Sequence, residues 1–317
     1  MSFAYLLRRI LTSIPTVLFV VFVVFIVIHL VPGDVVDMML GTQNYLTKEQ
    51  IEQLYKQYGL DKPLIVQFYV WLKNLFTLNF GTSLRTGRRV IDLIFDRFPV
   101  TLELSVLSMF FATVIGIPLG IVAAIKKNSF VDGLVRVIGL IGLSSPSFWV
   151  GAILIVIFSG TFKGFNIFGY VHLREDFLRN LQVMFLPSLT LGLMLSAQIM
   201  RMTRSSMLDV LQQEYIRTAK AKGVSYSQLI AKHALKNALI PIVTLSGIQL
   251  GYLLAGTIVI ENMFALPGLG RLLLQAVNER DYPVIQFVVM FIAMLIVVLN
   301  ILIDFVYTLI DPRVELR

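Results

Sequence analysis

The chain has 317 residues, 57% of them hydrophobic and 15% charged, with a mean hydropathy of +0.81, a balance that excludes an ordinary soluble globular domain. The net charge of +8 follows a pattern set by membrane orientation, so no nucleic-acid partner is expected. With no cysteine, a disulfide framework and a cysteine-ligated metal are both excluded.

Near the start of the sequence, Arg8-Arg9 precede a long apolar run. That run exceeds a signal-peptide core and lacks a small-x-small cleavage site, so it reads as an uncleaved first span. Crossing a hydrocarbon core takes about 20 apolar residues. Six stretches qualify: Ile10–Val31, Thr101–Ile125, Val137–Gly160, Val183–Met200, Leu239–Ile260 and Val284–Ile310. All 27 lysines and arginines lie outside them. The expected fold class is an all-α membrane protein of six transmembrane helices, with a helical insertion between spans 1 and 2.

An even number of crossings puts both termini on one side. Segments 1–9, 126–136, 201–238 and 311–317 then share a face. They are the shorter set, yet carry fourteen of the 27 lysines and arginines. By the positive-inside rule this face is cytoplasmic. The expected division is an N-terminal end with span 1 over 1–31, an extracytoplasmic insertion over 32–100, a five-span core over 101–310 and a cytoplasmic tail over 311–317.

Within the insertion, Thr47-Lys48-Glu49-Gln50 fits a capping box, opening a helix that ends near Gly59. After Asp61-Lys62-Pro63 comes a second stretch, LIVQFYVWLKNLF, with aromatics at helical spacing. Two readings stand: a small subdomain packed on the membrane surface, or a surface that meets a substrate-delivering partner.

In the spans, Gly116-x-x-x-Gly120 and Gly247-x-x-x-Gly251 allow close helix approach. Pro118 and Pro146 should interrupt their helices, as packing kinks or as gating hinges. Polar groups at membrane depth must face protein or water. Gln198, Gln249 and Asn300 are therefore candidates to line a pathway. Asp304, one turn after Asn300, sits near the end of its span, where an interfacial or interhelical hydrogen bond would suffice. Most spans carry no charge at their middle, which argues against proton or sodium coupling.

Catalytic signatures are missing. There is no phosphate-binding Gly-x-x-x-x-Gly-Lys loop, and His29, His172 and His233 lie far apart. Leu245-Ser246-Gly247-Ile248-Gln249 falls inside an apolar span, out of reach of nucleotide. The chain is not expected to be an enzyme, and no metal site is expected.

The loop 201–238 is the one long polar segment between spans on the basic face. Helix-favouring residues run from Ser206 through Lys222, with Asp209 and Glu214 early and Lys220 and Lys222 late, as a helix dipole prefers. Gly223 suits the left-handed position after a helix end. Ser225-Tyr226-Ser227-Gln228 fits a capping box for a second short helix with Leu229, Ile230 and Ala234 on its apolar stripe. The expectation is two short helices hinged at Gly223, forming a rigid knob. A plainer reading has the loop only anchoring its lysines to anionic lipid.

This loop resembles the EAA loop of ABC importer permeases, whose general form is Glu-Ala-Ala-x-x-x-Gly, nine residues, then Ile-x-Leu-Pro. With Gly223 on the family's glycine, only Ala219, Gly223 and Leu235 match that general form. The departures, YIRTAKAKG and HALKNALIP, resemble the dipeptide/oligopeptide branch. So do Pro32-Gly33-Asp34, YGLDKPLIVQFYVWL at 58–72, FGTSL at 80–84, RFPVTLEL at 97–104, ENMFALPGLGRLLLQAVNERDYPVIQ at 261–286 and Ile310-Asp311-Pro312-Arg313.

The resemblance implies a type I ABC importer permease fold of the first-permease type, in a prokaryotic cytoplasmic membrane with both termini cytoplasmic. It implies half of a heterodimeric channel, working in the lipid bilayer with a second permease, two ABC ATPase subunits and an external substrate-binding protein. ATP and magnesium would be used by the ATPases, and no cofactor would be bound by this chain. It also implies an ATPase contact at Glu214, Tyr215, Arg217, Thr218, Ala219, Lys220, Ala221 and Gly223. Peptides are the expected substrates, with oligosaccharides or nickel complexes as alternatives. An ion-coupled transporter or channel acting alone, or a receptor-type membrane protein, would be the competing classes.

Overall fold

The structure is a computed structural model that describes residues 3–30, 36, 47–77, 79–162 and 164–310. Pro32-Gly33-Asp34, Asp311-Pro312-Arg313 and the rest of the 311–317 tail lie outside the described residues. The helices are α1 (Phe3–Leu30), α2 (Lys48–Tyr58), α3 (Leu64–Phe76), α4 (Val90–Ile125), α5 (Phe130–Ser144), α6 (Ser147–Thr161), α7 (Phe177–Leu211) and α8 (Glu214–Ala221). After a turn at Tyr226–Gln228 and a π-helical turn at Leu229–Ala234 come α9 (Leu235–Gly256), α10 (Ile258–Met263), α11 (Leu269–Asn278) and α12 (Tyr282–Ile310).

Five stretches within these helices are long and apolar enough to cross a membrane: 11–30, 90–125, 177–211, 226–255 and 282–306. The sixth expected span is not straight. Where Val137–Gly160 was expected to cross, α5 and α6 meet at 106°. Pro146 is the cause: it forces the preceding Ser145 into extended backbone (φ −81, ψ 131). Pro118 does not interrupt its helix, and α4 runs through it. Membrane helices tolerate proline where neighbours satisfy the freed carbonyl.

The chain divides into two compact units. In the unit holding 100–267 and 296–310, α7 is the central strut. A Cβ on Gly116 of α4 would come 2.8 Å from the Ser196 carbonyl oxygen, and one on Gly120 would come 2.6 Å from that of Met200. The approach is reciprocal, because a Cβ on Gly192 of α7 would sit 2.5 Å from the Phe111 Cβ. The expected small-residue seam is therefore real here. The second seam is half of what was expected: Ile303 fills the space over Gly247, but Gly251 has only an ordinary 3.6 Å contact to Leu299. The core at one end gathers Val100, Leu104, Met184, Leu186, Ile260 and Phe264. Beside it Glu261, fully buried, accepts hydrogen bonds of 2.7 Å from the hydroxyls of Thr101 and Thr257.

The other unit holds 10–99 and 268–295. The Thr47 capping box forms as expected: the Gln50 N–H reaches Thr47 Oγ1 at 3.4 Å and the Thr47 N–H reaches Gln50 Oε1 at 2.9 Å. Gly59 closes α2 at φ +68. Phe68 of α3 packs edge-on against Phe22 and Phe25 of α1, with centroids 5.6 and 5.2 Å apart. Ser83 and Asp281, from two of the family-like stretches, bond directly at 2.5 Å, and Asp281 also accepts the Leu84 N–H at 3.2 Å.

Candidate coupling loop and polar groups of the spans

The sequence leads to a helix running from Ser206 through Lys222, but the chain turns first. α7 ends at Leu211, Gln213 is extended (ψ 147), and α8 begins at Glu214. Packing explains the break. Ile216, 4% exposed, joins Met207, Leu229, Ile230 and Ala234 in one core cluster. On an uninterrupted helix Ile216 would lie about 13 Å beyond Met207 along the axis. The turn folds it back.

Burial of Ile216 sets the faces of α8. Glu214, Tyr215, Arg217, Thr218, Lys220, Ala221 and Gly223 are exposed, whereas Ala219 is half-buried and packs on the same cluster as Ile216. Of the eight residues expected to form a contact surface, Ala219 is thus turned inward. Glu214 and Arg217 pair at 2.8 Å but are 82% and 71% exposed, so the pair adds only about 0–1 kcal/mol of stability.

The C-terminus of α8 is closed by backbone bonds. The Gly223 N–H reaches the Lys220 carbonyl at 3.1 Å and the Val224 N–H reaches that of Ala219 at 3.3 Å. This is the Schellman pattern, with Gly223 at φ +82 and nothing within 4 Å of where its Cβ would stand. Conformation, not space, demands glycine.

The second expected helix differs. Ser225 is the N-cap residue, but its side chain makes no capping bond. Instead of a separate short helix, Tyr226–Gln228 leads through the π-turn Leu229–Ala234 straight into α9. The knob is one short helix clamped to the start of a span. Its clamp is polar: Asn237 Nδ2 donates to the Tyr215 hydroxyl at 2.7 Å and to the His233 carbonyl at 3.2 Å. Neither Ile216 nor Asn237 was singled out from the sequence, although the HALKNALIP stretch contains the latter.

Of the three candidate pathway residues, two are brought together. Gln249 on α9, 5% exposed, donates its side-chain N–H to Gln198 Oε1 on α7. Asn300 is exposed on α12, with Asp304 half-buried one turn later. Sequence reading passed over Asp132, which is fully buried and accepts hydrogen bonds from Nε and Nη2 of Arg204 at 2.7 and 2.8 Å. It also passed over Glu103, which accepts from Tyr170 and Asn180 at 3.1 and 3.2 Å. Glu103 lies inside the apolar run Thr101–Ile125 and Asp132 just before Val137–Gly160, the signal that could have marked them. Among the described residues no group of three or more His, Asp or Glu could hold a metal.

Residues 116–316 match the family model of the binding-protein-dependent transport system inner membrane component, and residues 2–105 match the model of its N-terminal part. The dipeptide transport system permease protein DppB of Alkalihalophilus pseudofirmus is 39% identical, over 98% of this chain and 99% of that one. The glutathione transport system permease protein GsiC of Salmonella paratyphi A is 40% identical, over 99% of each. Among solved structures, an inward-facing MetNI methionine ABC transporter superposes with a TM-score of 0.56 at 21% identity, covering 70% of this chain and 97% of that one. That likeness shows the fold, which is the permease fold the resemblance implied. The chain therefore belongs to the family of inner membrane components of binding-protein-dependent transport systems.

Proposed function

We propose that this chain is the multi-pass membrane permease of an ATP-driven importer and forms half of a pathway for di- and oligopeptides. The observation that carries the substrate class is near-full-length similarity to permeases of dipeptide and glutathione transport. The chain itself performs no chemistry. A second permease would complete the pore, an external binding protein would deliver the peptide, and two ATPase subunits would use ATP and magnesium on the basic, cytoplasmic face.

Energy would enter at α8. Its free face carries Glu214, Tyr215, Arg217, Thr218, Lys220, Ala221 and Gly223, while Ile216 and Ala219 seat it on the ends of α4 and α7. A docked ATPase that moves α8 then moves the start of α9 through Tyr215 and Asn237. α9 carries Gln249, bonded to Gln198 on α7, so the motion reaches polar groups at membrane depth. Exchanging that mutual bond for one to a peptide is the role we assign to this pair.

Reconstituting the chain with its ATPase, second permease and binding protein tests the reading. ATP-dependent uptake of labelled dipeptide is expected. Uptake of only an oligosaccharide or a nickel complex would keep the permease and remove the peptide. Uptake by this chain alone, driven by an ion gradient, would overturn the whole proposal.

A further inference from the structure

Helix α3 is apolar on every side. Its sequence, LIVQFYVWLKNLF, holds one charge, Lys73. Phe68 and Trp71 pack inward against α1. The opposite side is apolar as well: Ile65 is 78% and Tyr69 67% exposed, with Val66 and Val70 exposed beside them. By contrast α2 of the same insertion, KEQIEQLYKQY, carries four charges in eleven residues, as a helix in water does. A helix that is apolar all round belongs inside protein or inside a bilayer.

The ring contacts of α3 fix its depth. Counted from Ile10, where the first apolar run begins, Phe22 stands about 18 Å and Phe25 about 22 Å along α1. The hydrocarbon core is about 30 Å thick, so both rings lie in its outer half, and tilting α1 only brings them nearer the midplane. Phe68 packs edge-on against both, and Trp71 stacks on Phe25 with centroids 6.1 Å apart. From the other side Trp71 meets Phe287, also at 6.1 Å, five residues or about 7.5 Å inside the outer end of α12. Gln67 is not left to hydrocarbon. Its Nε2 donates to the Lys62 carbonyl at 2.8 Å, and its Oε1 lies 3.2 Å from His29 Nε2.

We infer that α3 lies within the outer leaflet, with the face of Ile65, Val66, Tyr69 and Val70 covered by lipid acyl chains, although the insertion that holds it was expected outside the membrane. Depth excludes a partner arriving from water, which does not reach the level of Phe25. Lys73 decides between lipid and a second membrane subunit. It is one turn beyond Tyr69, exposed, and forms no ion pair with a described residue. A subunit closing over this face would bury that ammonium at a high cost. In lipid the stem lies among acyl chains while the ammonium reaches the headgroups. The insertion is thereby divided, α2 in water and α3 in the bilayer. The inference rests on α1 and α12 spanning the membrane and not on which solute is carried.

The chain has no cysteine, so Ile65→Cys, Tyr69→Cys and, on the exposed side of α2, Gln53→Cys each accept a nitroxide label at one place. Each variant is labelled, assembled with its partner subunits and placed in phosphatidylcholine vesicles. Collision of the label with oxygen, which concentrates in hydrocarbon, is compared with collision with a polar nickel chelate, which stays in water. Oxygen should prevail at positions 65 and 69, and the order should reverse at 53. Prevalence of the chelate at 65 and 69 would show a face in water, open to the external binding protein, and overturns the inference. Shielding from both reagents would show a face covered by the second permease and overturns it as well. If the variants at 65 and 69 do not insert, Val66→Cys and Val70→Cys read the same face with the same two contrary results. Peptide uptake in the same vesicles reports separately on the transport reading.

Discussion

Asn237 donates a 2.7 Å hydrogen bond to the hydroxyl of Tyr215, joining α8 to the first turns of α9. Both side chains are exposed, so the bond contributes little to folding and much to alignment. Tyr215→Phe should lower stability by about 0.5–1.5 kcal/mol at most. We expect ATP hydrolysis by the assembled transporter to continue while peptide uptake falls. Parallel ATPase and uptake assays check this, and equal loss of both would count against a linking role.

Gly223 gives a graded test. Its φ of +82 is foreign to a side chain, yet a Cβ there would meet nothing within 4 Å. Gly223→Ala should therefore cost about 1 kcal/mol from conformation alone. Gly223→Pro also fixes φ near −65° and removes the N–H that bonds Lys220. Normal insertion with abolished ATP-coupled uptake is expected for proline, and partial uptake for alanine. Proline variants with undiminished uptake would take the loop out of the mechanism.

The ion pair of Glu214 and Arg217 separates docking from folding. Both are exposed, so Arg217→Glu should shift the melting temperature of the purified chain very little, consistent with a pair worth about 0–1 kcal/mol. Co-purification of the ATPase subunits should nonetheless drop sharply. A melting shift without loss of ATPase would mean the surface is structural.

The close approach of α4 and α7 allows no such tolerance. A Cβ on Gly120 would stand 2.6 Å from a backbone oxygen. Gly120→Val forces two helices apart, with an overpacking penalty of about 1–3 kcal/mol or more. Reduced membrane yield and increased proteolysis are expected. Gly251→Ala, at a position with an ordinary 3.6 Å contact, is the matched control and should behave as wild type.

Gln198 and Gln249 call for a double-mutant cycle. Gln198→Leu leaves the buried Gln249 amide without this partner, a loss of about 1–3 kcal/mol, whereas Gln249→Leu leaves the half-buried Gln198 and should cost less. Replacing both should recover much of that stability while still reducing peptide uptake. Full uptake by the double variant would remove the pair from the pathway.

What could be read in advance was whatever depends on local chemistry or bulk hydropathy. The Thr47 box, the turn at Gly59, the left-handed Gly223 and the long apolar helices all follow from residues close in sequence. What escaped depends on tertiary packing. Ile216 looked like one more residue in a polar helix until its burial forced the break at Gln213. Ser225 had the spacing of a cap, but Leu229, Ile230 and Ala234 face a shared core, and satisfying that core draws the chain into a π-turn. The 106° bend at Pro146 was legible only as an interruption: a proline permits both a kink and a full corner, and sequence alone does not give the angle.

The π-turn at Leu229–Ala234 also acts as a phase setter. A residue adds about 100° of rotation to an α-helix, and a π-turn absorbs one residue more than an α-turn would. The angular relation between the side of this segment that holds α8 and the sides of α9 that bear Gln249 and Gly247 is thus fixed over six residues. Deleting a single residue there would turn the side that holds α8 by about 100° relative to Gln249 and Gly247 while leaving the chemistry of both ends unchanged.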